Sequence, residues 1–147
     1  MQHPLLLGFA GHNYLLLRNA DGSIISELHG LATDKETGNW KYVGADKTDV
    51  LQVWEFEEST KYLAGKNFPG IILSQGNQLA IETLWKKAEE CKDRINQKQI
   101  PYPPYGFTIR GETENSNSVA YTLALCIQAD VRHLGLFTPG SQNNLLK

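Results

Sequence analysis

The chain has 147 residues, of which 41% are hydrophobic and 20% charged, and its 14 Lys and Arg against 16 Asp and Glu leave a formal charge of −2. That length suits a single domain over 1–147 with a core of its own, and the composition is that of a folded chain, not a disordered one. No dense basic run is present to neutralise a phosphate backbone, which argues against nucleic acid as a partner, and no stretch approaches the roughly 20 apolar residues of a membrane span.

Residues 1–10 lack a basic leader, and Gly11-His12-Asn13 interrupts their apolar run, so the start does not read as a signal peptide. The expectation is a protein soluble in the cytoplasm as synthesised, with any export left to a specialised secretion system. Two strand-like runs, 13–18 and 23–29, flank Asn19-Ala20-Asp21-Gly22, and Asp-Gly is a strong hairpin signal because both residues tolerate positive φ. A hairpin from about residue 11 to 31 follows. With Asp21-Gly22 as a two-residue loop, Ala20 pairs with Ser23, Tyr14 with His29 and His12 with Leu31. His12, Tyr14, His29 and Leu31 then share one face, the two histidines as diagonal neighbours.

Residues 32–47 carry turn formers and charge with Trp40, Tyr42 and Val43 as anchors, and read as a surface loop. The β-branched and aromatic run 50–56 predicts a strand that ends on charge at Glu55-Phe56-Glu57-Glu58. A short turn or helix over 60–65 and a turn with a brief strand over 68–73 come next. Asn77 is placed to cap a helix of about twenty residues, in which Ala80, Ile81, Leu84, Trp85, Ala88, Cys91 and Ile95 recur at helical spacing. Its charged face, 86–98, alternates in sign and reads as solvated. Prolines make 100–106 an extended connector. Val119, Leu123, Ala124, Cys126 and Ile127 mark a second helix closing near Asp130. The order predicts an α+β fold, an antiparallel sheet packed against helices. Cys91 and Cys126 both fall in helical patterns, which fits buried small apolar residues better than a disulfide or a metal site.

The stretch Gly111-Glu112-Thr113-Glu114-Asn115-Ser116-Asn117-Ser118 runs a polar loop straight into the second helix. A side chain in a helix's first turn meets unpaired N–H groups and the positive end of the macrodipole, which favours a nucleophile or an oxyanion. Acyl transfer in this style needs a nucleophile there, a His on a neighbouring strand as base, and a group to orient that His. Ser116 or Ser118 supplies the first, His12 the second and His29 the third, with Asn115, Asn117, Ser118 or a backbone N–H as oxyanion donor. Tyr14, and Tyr105 among the prolines with Tyr102 and Phe107, are placed to line a substrate groove.

An early strand-opening His in Gly11-His12-Asn13-Tyr14, followed late by Asn115-Ser116 at a helix head, resembles the circularly permuted papain-like hydrolases: NlpC-type cell-wall peptidases, CHAP amidases and lecithin retinol acyltransferase. The resemblance implies a permuted papain-like architecture with His12 as base and residue 116 as nucleophile, no cofactor, and amide or ester chemistry on peptidoglycan peptides or lipid esters. A small bacterial domain of this kind is also similar to antibacterial effectors delivered by type VI secretion, which would add a cognate immunity or carrier protein as partner. The family carries Cys where this chain has Ser116. Either Ser116 acts with His12, or the site has lost its chemistry, or a Cys was replaced deliberately; Ser is the weaker nucleophile and leans more on its base.

Plainer readings stand beside these. Ser and Asn are preferred helix caps, so 115–118 suits a capping role alone. His12 suits a strand-end residue bonded to backbone, and His29 a residue where a strand leaves the sheet. His3 and His133 have no partner at ligand spacing, and no metal site is expected. Cys126 lies too far past the helix start to be a nucleophile. Two function classes result: a papain-like hydrolase or acyltransferase, and a catalytically inactive module of that fold that binds a peptide or protein partner.

Overall fold

A computed structural model describes residues 3–8, 14–41, 48–57, 70–102, 115–130 and 143–147. The Asp-Gly hairpin forms between β2 (Tyr14–Arg18) and β3 (Ile24–Thr33), antiparallel, with Leu15 opposite Leu28, Leu16 opposite Glu27 and Leu17 opposite Ser26. This is the register expected from a two-residue loop, yet the loop is longer. Gly22 N–H donates to Asn19 O at 3.0 Å, Asn19 N–H donates to Ser23 O at 2.8 Å, and Gly22 sits at φ +89°. Ala20, Asp21 and Gly22 therefore make a three-residue turn whose last position needs a left-handed residue. Arg18 pairs with Ile24, and a register shift between Leu17 and Arg18 takes up the difference, with Ile25 as the extra residue. The bulge restores the side-chain faces that the longer turn would have inverted.

β3 runs on to Thr33 and turns at Asp34, whose Oδ1 accepts from the Glu36 and Thr37 N–H groups at 2.8 and 3.1 Å. Trp40 and Lys41 form a short strand, β4 (Trp40–Lys41), opposite Thr33 and Ala32, so part of the expected loop 32–47 is paired. Lys41 Nζ holds the turn to the next strand by ion pairs with Asp49 at 2.9 Å and Asp34 at 3.5 Å. β5 (Val50–Glu57) pairs along β3 from Ser26–Glu57 to Thr33–Val50.

Three further strands complete the described sheet: β1 (His3–Gly8), β6 (Gly70–Gly76) and β7 (Ile100–Pro101). The order is β6-β1-β2-β3-β5-β7, with β4 on β3, and every pairing is antiparallel. β1 is an internal strand that the sequence signals only by its apolar run, because continuous hydrophobicity has no period to read. β7 falls where an extended connector was expected, and its Pro101 is tolerated because β7 is an edge. Beyond β7 the open edge of β5 is satisfied from a helix: Asn96 accepts from Val53 N–H at 2.6 Å and donates to Val53 O at 3.1 Å.

α1 (Gln78–Gln97) begins as expected at Asn77, whose side chain accepts from Ala80 N–H at 2.9 Å. Ile81, Trp85, Ala88, Cys91 and Ile95 form its buried stripe. α2 (Ser116–Cys126) is shorter and buried nearly all round. Its Thr122 hydroxyl donates to Ser118 O at 2.7 Å and accepts from Leu145 N–H at 2.8 Å, which ties the C-terminal turn to the helix. The cysteine expectation is corrected: Cys91 and Cys126 are joined in a disulfide between the two helices. Periodicity put both on apolar faces but could not show that those faces meet. The bridge closes a separation of 35 residues, worth about 3 to 4 kcal/mol in the chain-entropy account. Among the described residues no helix is long and apolar enough to cross a membrane.

Strand alternation gives the sheet two different faces. Leu15, Leu17, Leu28, Leu51 and Val53 point into one core with Ile81, Trp85 and Ile95 of α1 and Val119 and Leu123 of α2. Tyr14, Leu16, Glu27, His29, Leu31 and Phe56 occupy the other face, and they too are buried. Truncating Leu28, fully buried at the centre of the helix-side core, is expected to cost roughly 2 to 5 kcal/mol. Asn77→Ala is expected to cost about 1 kcal/mol through the lost cap. Urea unfolding of the two variants checks both values, and the larger loss belongs to Leu28→Ala.

Candidate functional site

At the head of α2 the capping role is realised, with Asn115 as the cap. Its side chain accepts from the N–H groups of Asn117 at 3.0 Å and Ser118 at 3.2 Å, while Ser118 Oγ accepts from Asn115 N–H at 3.2 Å. This reciprocal box uses the N–H groups of the second and third helical residues, so those two donors already serve the cap. Ser116 is the first helical residue, and neither cap bond uses its N–H. Asn115, Asn117 and Ser118 are all buried.

His29 sits in a different environment. It is 0% exposed, its Nε2 lies 3.0 Å from Oε2 of Glu27, itself 1% exposed, and its ring stacks on Tyr14 at 4.4 Å with Phe56 edge-on at 5.7 Å. The pairing of Tyr14 with His29 is thus the one expected from the hairpin. Glu27 and His29 come together because residues i and i+2 of a strand share a face. A carboxylate only accepts, which makes Nε2 the protonated ring nitrogen toward Glu27. Burial pushes the His29 pKa below its ordinary value, opposed by the bond and the charge of Glu27. Burial, and then the Glu27 charge, raise the Tyr14 hydroxyl. Tyr14 is 4% exposed, so it is a packing partner of His29 and not an open groove wall.

The sheet separates these two clusters. β3 directs Leu28 to the side where Val119 and Leu123 of α2 pack, and so directs His29 to the opposite side. His29 therefore cannot orient a base at the head of α2 without passing through the strand layer. His12 and Tyr105 lie outside the described residues, as do Phe107 and His133 and the side chain of Ser116. Tyr102 packs against the helix-side core. Among the described residues no three His, Cys, Asp or Glu side chains gather in a metal-binding arrangement.

A concavity that the sequence reading did not single out lies between α1 and the sheet. Its volume is about 450 Å³, with Leu17 and Ile25 as apolar walls and Ser26, Glu55, Glu57, Trp85 and Glu89 as the rest of its lining. Glu55 accepts from Ser26 Oγ at 3.0 Å and Trp85 Nε1 at 3.1 Å, and its other oxygen lies 3.4 Å from Lys92 Nζ. Burial, then the neighbouring Glu55 charge, raise the Glu89 pKa. Leu17 and Ile25 also border a smaller apolar hollow of about 150 Å³ with Ile81 and Gln78. The signal for this groove was present: Leu51, Val53, Glu55 and Glu57 share one face of β5, so the core face of that strand turns charged at its end. From the sequence this charge reads only as the end of the strand.

The Glu27–His29 pair makes stability depend on pH with a definite sign. A His whose folded pKa lies below its unfolded value near 6.5 favours the native state above that value, and the contribution disappears as pH falls through the folded pKa. Urea midpoints measured from pH 8 down to pH 5 are expected to decline below about 6.5, and the part of that decline due to this group to be absent in His29→Phe. An equal decline in both proteins counts against the assignment. Compared with known proteins, the chain matches no family model, no curated protein and no solved structure.

Proposed function

We propose that this chain is a non-catalytic binding module that takes a basic segment of a peptide or protein partner into the groove between α1 and the sheet. The observation that carries the reading is the groove itself: three carboxylates, Glu55, Glu57 and Glu89, line it together with Trp85, beside an apolar wall of Leu17 and Ile25, and among the described residues the one cation paired with them is Lys92, 3.4 Å from Glu55. A Lys or Arg side chain suits such a surface, since its alkyl stem covers apolar atoms while its charged tip meets carboxylates. The Glu89 pKa is raised first by burial and then by the Glu55 charge, against Lys92, and a further cation in the groove favours its ionised form.

The hydrolase reading is kept as a second proposal, because Ser116 is the first residue of α2, where the helix dipole favours a nucleophile. In that reading the chain is a permuted papain-like enzyme in which Ser116 attacks an amide or ester carbonyl, His12 takes its proton, and peptidoglycan peptides or lipid esters are the substrates. His29 has no part in it, for it is sealed on the far side of the sheet beside Glu27.

Two measurements separate the proposals. Fluorescence anisotropy should give saturable binding of Lys/Arg-rich peptides, with acidic peptides silent, and the Glu57→Lys/Glu89→Lys protein should lose at least tenfold in affinity. Ester and stem-peptide hydrolysis should stay at background for the native protein and for Ser116→Cys. Turnover that vanishes in both Ser116→Ala and His12→Ala would overturn the binding reading and establish the hydrolase.

A further inference from the structure

The disulfide joins the last residue of α2 to the middle of α1, at a separation of 35 residues. α2 is only 11 residues long, too short to hold as a helix by itself. Its seat therefore depends on its attachments. Val119 and Leu123 enter the core, Thr122 holds the C-terminal turn, and Cys126 is the covalent tie. Lys98 Nζ bonds Leu145 O, so the C-terminal turn in its turn rests on α1. Loss of the bridge loosens a chain of contacts running from α1 through α2 to Leu145. Cys91 is buried at 7% exposure, whereas Cys126 is partly buried.

We infer that the Cys91–Cys126 bridge is a redox lock on the helical layer: the oxidised chain is the working form, made by exchange with a protein or small-molecule disulfide, and reduction releases α2. The inference is independent of what the groove binds. In forming, one cysteine thiolate attacks the donor disulfide, whose S–S bond breaks and expels a thiolate. The second cysteine thiolate then attacks the mixed disulfide, closing the Cys91–Cys126 bond and expelling the donor's other thiolate. The two protein thiols lose two protons and two electrons, and the donor disulfide leaves as two thiols. Release runs the same steps backwards, a reducing thiolate attacking one sulfur of the bridge. Such a lock belongs to a chain that does its work in an oxidising compartment, since the cytoplasmic thiol pool keeps most bridges open.

The test is hydrogen exchange by mass spectrometry on native protein, with alkylation counting free thiols, before and after dithiothreitol. The oxidised protein should show no alkylatable thiol. After reduction the amides of 117–127 should exchange faster by on the order of a hundredfold, with β3 and β5 less affected. The Cys91→Ser/Cys126→Ser protein should fold and match the reduced one; a reduced wild-type protein that unfolds as a whole would count against a lock confined to the helical layer. Two free thiols in protein purified from an oxidising compartment, or α2 protection unchanged by reduction, would overturn it.

Discussion

The period-two alternation of β3, held in register against β2 and β5, decides which side chains meet the helices and which are buried on the opposite face. It sends Ser26, Leu28 and Gly30 to one side and Glu27, His29 and Leu31 to the other, and the two sides have different work. Leu28 and its neighbours receive α1 and α2. Glu27 and His29 form a sealed polar pair between Tyr14 and Phe56. A slip of one residue would exchange these faces, putting a carboxylate and an imidazole against the helices. The bulge at Ile25 prevents that slip by absorbing the extra residue of the Gly22 turn.

Burying Glu27 and His29 together avoids leaving either group alone in an apolar layer, where an unpaired polar group costs several kcal/mol. Tyr14 stacks on the imidazole and Phe56 meets it edge-on, and the residue is 0% exposed. A His held by a carboxylate is the geometry of a catalytic base, but a base must reach a substrate. His29 is 0% exposed and its Nε2 is held by Glu27, so the pair is part of the packed interior of the sheet.

Much of the fold was legible in the sequence because its signals are local and periodic. Asn77 and the Ile81–Trp85–Ala88 spacing announced α1, Asp21-Gly22 announced the hairpin, and the polar run into Val119 announced α2. The pairing of Tyr14 with His29 was right even though the assumed loop was one residue short, since the bulge cancels the error. What stayed hidden depends on tertiary meeting: that β3 turns its histidine away from α2, that the apolar faces holding Cys91 and Cys126 face each other, and that Glu55 and Glu57 lie on the covered side of β5. Each needs the relative placement of two elements, and hydrophobic periodicity does not carry it. β1 was missed for a simpler reason, since an unbroken run of Leu has no alternation to detect.

The proposed binding surface lies between α1 and the sheet, on the side of the strands away from His29. Nuclear magnetic resonance mapping during titration with a Lys/Arg-rich peptide tests it most directly. Shifts are expected to concentrate at Ser26, Glu57, Glu89 and the Trp85 indole N–H, with Tyr14, Glu27 and His29 unmoved. Shifts centred instead on His29 and 115–118 would contradict it.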